Sequence, residues 1–318
     1  MVDFSAKLTV EGTSSMAGSF EIREEGFHRI VAEGASIELV ATGFWFTEGP
    51  LWRGDHLLFS DIPNSRIVRY QRLPEGPSIQ TFRVPTNLSN GLTVDHQKRL
   101  LACEGAARRL TRTEADGSVS VVADRYQGKR LNSPNDVVVA GDGSIYFSDP
   151  FWANGFANPH GPRVRADEQE LSFCGVFRVA PDSSVAPVAE DFERPNGLAF
   201  SPDGRTLYVD DTRRFHVRAF DVRPDGSLAN GRIFAEIRAP EPGVPDGMKV
   251  DVEGNVYCTG PGGVWVIAPT GTILGRILMP EVTANVAWGD ADWRTLYLTA
   301  STSVYRLRTE IPGIPVPV

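Results

Sequence analysis

The chain is poor in the side chains that most often carry metal or nucleophilic chemistry, with 3 cysteines, 5 histidines and 4 methionines among 318 residues. Cys103, Cys174 and Cys258 are an odd set without metal-type spacing, and two of them close apolar segments. They read as buried thiols, not as a disulfide framework or a catalytic group. His28, His56, His96, His160 and His216 are scattered with no pair at HxxxH spacing, which argues against a histidine-based zinc site. A Gly-x-Ser-x-Gly elbow, a phosphate loop and a dinucleotide fingerprint are also missing. Positive charge is in deficit, 32 Lys and Arg against 40 Asp and Glu for a net charge of −8, so neither nucleic acid nor an anionic membrane surface is an expected partner. No apolar run approaches the ~18 to 20 residues of a spanning helix. Asp3, Lys7 and Glu11 interrupt the first segment, which therefore does not make a secretory signal, and the expected location is the cytoplasm.

What the chain does have is repetition. Glu48-Gly-Pro-Leu-Trp, Asn90-Gly-Leu-Thr-Val, Asn135-Asp-Val-Val-Val, Asn196-Gly-Leu-Ala-Phe, Asp246-Gly-Met-Lys-Val and Asn285-Val-Ala-Trp each place a polar leader before an apolar run. The leaders are 42, 45, 61, 50 and 39 residues apart. After each comes a polar turn and a second strand, as at Leu57 to Ser60 or Ile145 to Ser148, then a third, as at Ile67 to Tyr70 or Val176 to Val179. Fourth strands fit at 79–84, 119–123, 185–189, 232–237 and 272–278, one fewer than the repeats require. The segment 37–43, Ile-Glu-Leu-Val-Ala-Thr-Gly, precedes the first repeat and reads as the missing edge strand. The expected fold is all-β: a six-bladed β-propeller of four antiparallel strands per blade, closed when the N-terminal strand completes the C-terminal blade. Residues 17–318 would form this domain, behind a disordered lead of residues 1–16 rich in Ser, Thr and Gly.

In such a ring every innermost strand starts on the same face, so the six leaders line one mouth of the central channel. Two carboxylates, Glu48 and Asp246, with amide oxygens from Asn135 and Asn196, make the chemistry of a hard divalent cation: Ca²⁺, Mg²⁺ or Mn²⁺. Two carboxylates balance the ion's charge and leave open positions, which separate a catalytic metal from a structural one. Asn90 and Asn285 fit either a place in the ring or a turn role, since Asn-Gly tolerates unusual backbone angles. Glu48 has no turn role, and its setting in Phe44-Trp45-Phe46-Thr47-Glu48-Gly49-Pro50 puts a carboxylate beside apolar walls.

The successive motifs Thr-Glu-Gly-Pro-Leu-Trp, Arg-Leu-Asn-Ser-Pro-Asn-Asp-Val-Val-Val, Arg-Pro-Asn-Gly-Leu-Ala-Phe-Ser-Pro-Asp and Pro-Asp-Gly-Met resemble the senescence marker protein, gluconolactonase and luciferin-regenerating enzyme family, from about residue 27 to the C-terminus. The resemblance implies a six-bladed propeller with one divalent metal, most often Ca²⁺, with Mg²⁺, Mn²⁺ or Zn²⁺ as alternatives, on Glu48, Asn135, Asn196 and Asp246. Diisopropylfluorophosphatase, a calcium-dependent relative, uses the same ring. The implied activity is hydrolysis of a lactone such as D-glucono-1,5-lactone, with Glu48 and Asp246 as the catalytic carboxylates. Asp246 acts either as general base or as direct nucleophile.

Further site candidates lie on loops of the same face: Asp61, Asn64, Glu104, Arg108, Asp149 and Asp211. Asp61, Asp149 and Asp211 end equivalent strands, which also fits a structural turn role. Asp149 precedes the longest insertion, Pro150 to Ser172, whose Phe151, Trp152, His160, Arg163 and Arg165 suit a lid over a ring-shaped substrate. Animal sugar lactonases of the family carry an Arg two residues before the third-blade Asn, where this chain has Ser133. Asn132 or an insertion arginine would substitute, and the expected substrate contacts are Asn90, Asn132, Asp149, Trp152, His160 and Arg163. The competing readings are a phosphotriesterase or fluorophosphatase and a non-catalytic calcium-binding propeller.

Overall fold

A computed structural model describes residues 18–152 and 168–316. The expected lead at 1–16, and His160, Arg163 and Arg165, lie outside the described residues. Each repeat folds as one antiparallel sheet whose inner strand starts within two residues of its leader. Blade one comprises Thr47–Trp52, His56–Asp61, Arg66–Leu73 and Gly76–Arg83. Blade two follows with Ser89–Val94, Leu100–Glu104, Arg109–Thr113 and Val119–Ala123. Blade three is built from Val137–Val139, Ile145–Asp149, Cys174–Val179 and Val185–Phe192. Blade four contains Pro195–Phe200, Thr206–Asp211, His216–Val222 and Leu228–Glu236. Blade five has Met248–Val250, Val256–Gly260, Gly263–Ile267 and Ile273–Leu278, and blade six Thr283–Gly289, Thr295–Ala300 and Ser303–Arg308.

The missing strand of blade six is Glu38–Thr42, paired with Ser303–Arg308 in a register that runs from Glu38 opposite Arg306 to Thr42 opposite Ser303. The seam is also packed: Trp52 of blade one stacks on Tyr297 of blade six at 5.5 Å and 10°. Edge-on contacts join other neighbours, Tyr146 to Phe200 at 5.2 Å and Tyr257 to Trp288 at 4.6 Å. Such ring pairs contribute ~0.5–1.5 kcal/mol beyond their buried area. Blade five carries a strand that was not expected. Ser19–Ile22 adds a fifth strand to blade five, pinned by the ion pair of Glu21 with Arg276.

The channel has two unlike ends. Leaders ring one mouth, whereas the other ends of the inner strands surround a cavity of about 210 Å³ lined by Trp52, Val94, Val138, Phe200, Lys249 and Trp288. The C-terminal segment crosses this base: Gly313 bridges Asp251, Ile314 packs with blades four and five, and Val316 packs against Leu51 and Leu92. Among the described residues no helix is long and apolar enough to cross a membrane.

Candidate functional site

A recurring clamp positions the leaders. The second strands of blades one, three and four end in Asp61, Asp149 and Asp211, each with no exposed surface. Asp61 accepts the backbone N–H of Trp45 at 3.1 Å; Asp149 accepts those of Asn132 and Ser133, both at 2.8 Å; Asp211 accepts those of Glu193 at 2.8 Å and Arg194 at 3.2 Å. In every case the anchored segment begins three residues before the leader: Glu48, Asn135 or Asn196. In blade two Glu104 accepts the side-chain amide of Asn87, also three residues before Asn90, at 2.8 Å. Charge-assisted bonds of this kind fix the backbone that aims each leader inward.

Asp246 has no such acid behind it and is held from blade four instead. Asn196 Nδ2 donates to Asp246 Oδ1 at 2.7 Å and to Thr212 Oγ1 at 3.1 Å, while Thr212 Oγ1 donates to Pro245 O at 2.8 Å. At the seam Asn285 Nδ2 donates to Glu48 Oε2 at 3.0 Å, and the Glu48 and Asp246 carboxyls meet each other. Leaders of blades six, one, five and four therefore form one hydrogen-bonded arc. Burial, reinforced by Asp136, pushes Glu48 up to about 7, against the Gly49 N–H and the Asn285 amide. Burial and then Glu48 hold Asp246 well above the usual carboxylate range, although Asp246 keeps some exposure at the mouth. Two carboxyls in contact in an enclosed channel need either a shared proton or a cation between them.

Asn135 is 5% exposed and its side-chain amide makes no hydrogen bond among the described residues. Among the described residues the buried Oδ1 of Asn90 has no hydrogen-bond partner. Asn196 Nδ2 is engaged by Asp246 and Thr212, which turns its oxygen toward other contacts. Two carboxylates and amide oxygens on one arc match the donor set of a hard cation, so the residues present fit the expected metal. Among the described residues no three His, Cys, Asp or Glu form a metal cluster. That agrees with a ring half made of amides.

Other expected residues fall elsewhere. Asn132 has no exposed surface and donates to Asp149 O at 3.2 Å and Phe173 O at 2.9 Å. Asp149 is equally closed off, and burial pushes it up to about 7 against its two backbone donors. Both were expected to touch substrate; in the structure the Asp149 carboxyl accepts the backbone N–H groups before Asn135, and the Asn132 amide donates to two backbone carbonyls. Trp152 stands at the start of the blade-three insertion with the Arg194 guanidinium 4.3 Å over its ring. Asn64 and Arg66 bind Asp61, and Arg108 Nε donates to Leu131 O at 2.6 Å.

Three residues of the channel were not expected. Asp136 occupies the place after the leader where four other repeats have glycine, and is 3% exposed. Lys249 is the one lysine or arginine in the six inner strands. Asp210 stands where the other second strands have Ser60, Cys103, Ser148, Thr259 and Thr299, three of which, Ser60, Thr259 and Thr299, donate to inner-strand carbonyls. Burial, then Asp246, drives Asp210 well above the usual range. The signal for each was a departure from the repeat.

The family model for the SMP-30/Gluconolactonase/LRE-like region matches residues 46–302. A gluconolactonase of Zymomonas mobilis is 32% identical over 302 residues, covering 87% of this chain and 82% of that protein. A pentonolactonase of Haloferax volcanii is 30% identical over 277 residues, covering 83% and 84%. The solved structure of a gluconolactonase from Xanthomonas campestris superposes with a TM-score of 0.83 at 33% identity, covering 93% of this chain and 96% of the other. With every blade matched and identity of this order sustained over most of each partner, the chain belongs to the SMP-30/gluconolactonase/LRE-like family.

Proposed function

We propose that the protein is a hydrolase that opens a lactone ring with water, using a divalent cation held by Glu48, Asn135, Asn196 and Asp246. The observation that carries this reading is the contact of the Glu48 and Asp246 carboxyls across the channel mouth, inside an arc of amides. Named lactonases among the relatives support the reaction class. A hard cation in that position supplies Lewis acidity toward an ester carbonyl and its oxyanion.

The chain's own residues supply the rest. Asp246, oriented by Asn196 Nδ2 and open to the mouth, accepts the proton of the attacking water and returns it to the leaving ring oxygen. Glu48, fixed by Asn285 and by the Gly49 N–H, keeps the opposite wall negative. Gly49 adopts φ +53°, and a Cβ there would strike Asn90 O, so this turn of the chain requires glycine. Trp152 and Arg194 offer a ring face and a cation to the hydroxyls of a cyclic substrate. Asn132 and Asp149 act by holding the approach to Asn135. The relatives act on gluconolactone and pentonolactone, and Ser133 leaves the choice between sugar lactones to this wall.

The test is hydrolysis of D-glucono-1,5-lactone and a pentonolactone by chelator-stripped protein, before and after addition of Ca²⁺, Mg²⁺, Mn²⁺ or Zn²⁺, beside Asp246→Ala. Activity restored by a cation in the parent and lost by ~10²-fold or more in the variant is the expected result. Turnover of phosphotriesters with none of lactones would transfer the site to the fluorophosphatase class. Cation binding without hydrolysis of either would make it a binding protein.

A further inference from the structure

The leader ring and the residues just beneath it carry more carboxyl groups than one divalent ion balances. Asp136 acts on Glu48, Asp210 and Asp246 through the enclosed interior. Facing them, among the described residues, is the ammonium of Lys249. Its Nζ lies 3.9 Å from Asp136 Oδ2 and donates to Met248 O at 3.0 Å. Its charge also reaches Glu48. Asp136 Oδ1 accepts the Val137 N–H at 2.9 Å, but Oδ2 is buried and takes no hydrogen bond among the described residues. Among the described residues Lys249 is the one cation within 4.0 Å of that oxygen. Asp136 directly follows Asn135, so its carboxylate sits beside the ring without belonging to it. The lysine stem rises from the apolar base cavity, while the Asp136 carboxylate it faces is almost fully buried.

We propose that Lys249 is a positioning residue, a fixed counter-cation of the channel that pairs with Asp136 and keeps this carboxylate from becoming an additional ligand at the Glu48–Asp246 ring. This rests on the ring being a divalent-cation site. One fixed ammonium in the channel then serves where a second ion would otherwise be drawn in, and the coordination positions needed by water and substrate stay open.

The experiment is calorimetric Ca²⁺ titration of chelator-stripped parent, Lys249→Met, Asp136→Asn and the double variant, with lactone kinetics on each. Lys249→Met removes a like charge and frees Asp136, so Ca²⁺ binds about tenfold tighter, while kcat falls and KM stays near the parental value. Asp136→Asn leaves the ammonium uncompensated, so Ca²⁺ binds about tenfold more weakly. The double variant returns to within about threefold of the parent, as coupled neighbours do. Shifts in one common direction, or no shift in either single variant, would overturn the proposal. A parent that binds no divalent ion would sink the ring reading instead. Should Lys249→Met fail to fold by its melting curve, Lys249→Arg with parental affinity beside a weakened Asp136→Asn carries the test, and an Arg variant that shifts as far as Asp136→Asn refutes it.

Discussion

Asp149 illustrates how a single carboxyl can look catalytic and act on the backbone. It precedes the insertion, it is fully buried, and both its oxygens accept main-chain N–H groups leading to Asn135. Its carboxyl is pushed up to about 7, from ~3.9 in an unfolded chain. The folded state therefore retains a proton that the unfolded state loses between about pH 4 and 7, and this contribution to stability, present in acid, disappears as pH rises through 7. Urea denaturation of parent and Asp149→Asn across that range should show the gap between them largest near pH 4 and narrowing toward 7, by an amount on the order of a few kcal/mol. A constant gap would show that the group titrates normally. Residues of this kind were only half legible. The leaders repeat, so Glu48, Asn135, Asn196 and Asp246 stood out of the sequence. Asp136, Asp210 and Lys249 break the repeat one at a time, and a reading tuned to recurrence passes over them.

At the scale of the strand, the inner elements approach each other more closely than side chains allow. Gly91 N donates to Asn135 O at 2.8 Å across the blade boundary, and a Cβ on Gly91 would lie 2.6 Å from that same oxygen. Because backbone stands on both sides, little can yield. Gly91→Ala is expected to cost ~1–3 kcal/mol and to weaken Ca²⁺ binding by displacing Asn135; equilibrium unfolding and calorimetry read the two effects separately. Strand positions were legible because period-2 alternation and Gly-Asp punctuation mark them directly. Ser19–Ile22 was not, since Ser-Phe-Glu-Ile is too short to show alternation and owes its place to the exposed edge of blade five and the Glu21–Arg276 pair. The hairpin of Arg125–Tyr126 with Lys129–Arg130 escaped for the same reason: two-residue strands carry no period.

Taken whole, the ring separates a polar mouth from an apolar base, and the tail belongs to the base. Ile314 and Val316 cover the cavity at the end opposite the leaders. A variant ending at Pro312 is expected to melt at lower temperature and to bind an apolar dye more strongly, while keeping lactone turnover at temperatures where it stays folded. Loss of turnover in such folded protein would mean that the base shapes the mouth. The six-fold architecture and its seam were legible because a count of strands left one blade incomplete and one strand unassigned. The path of the tail was not, because Ile-Pro-Gly-Ile-Pro-Val has neither helical nor strand periodicity.

The seam also sets a timetable. Glu38 meets Arg306 at a separation of 268 residues. On a ribosome adding roughly 5–20 residues per second, Glu38–Thr42 emerges and then waits on the order of tens of seconds for its partner to exist. Throughout that interval the nascent chain displays an unsatisfied β-edge to its own unfinished blades and to neighbouring polysome products. Birth, more than maturity, is the moment at which this molecule is open to mispairing.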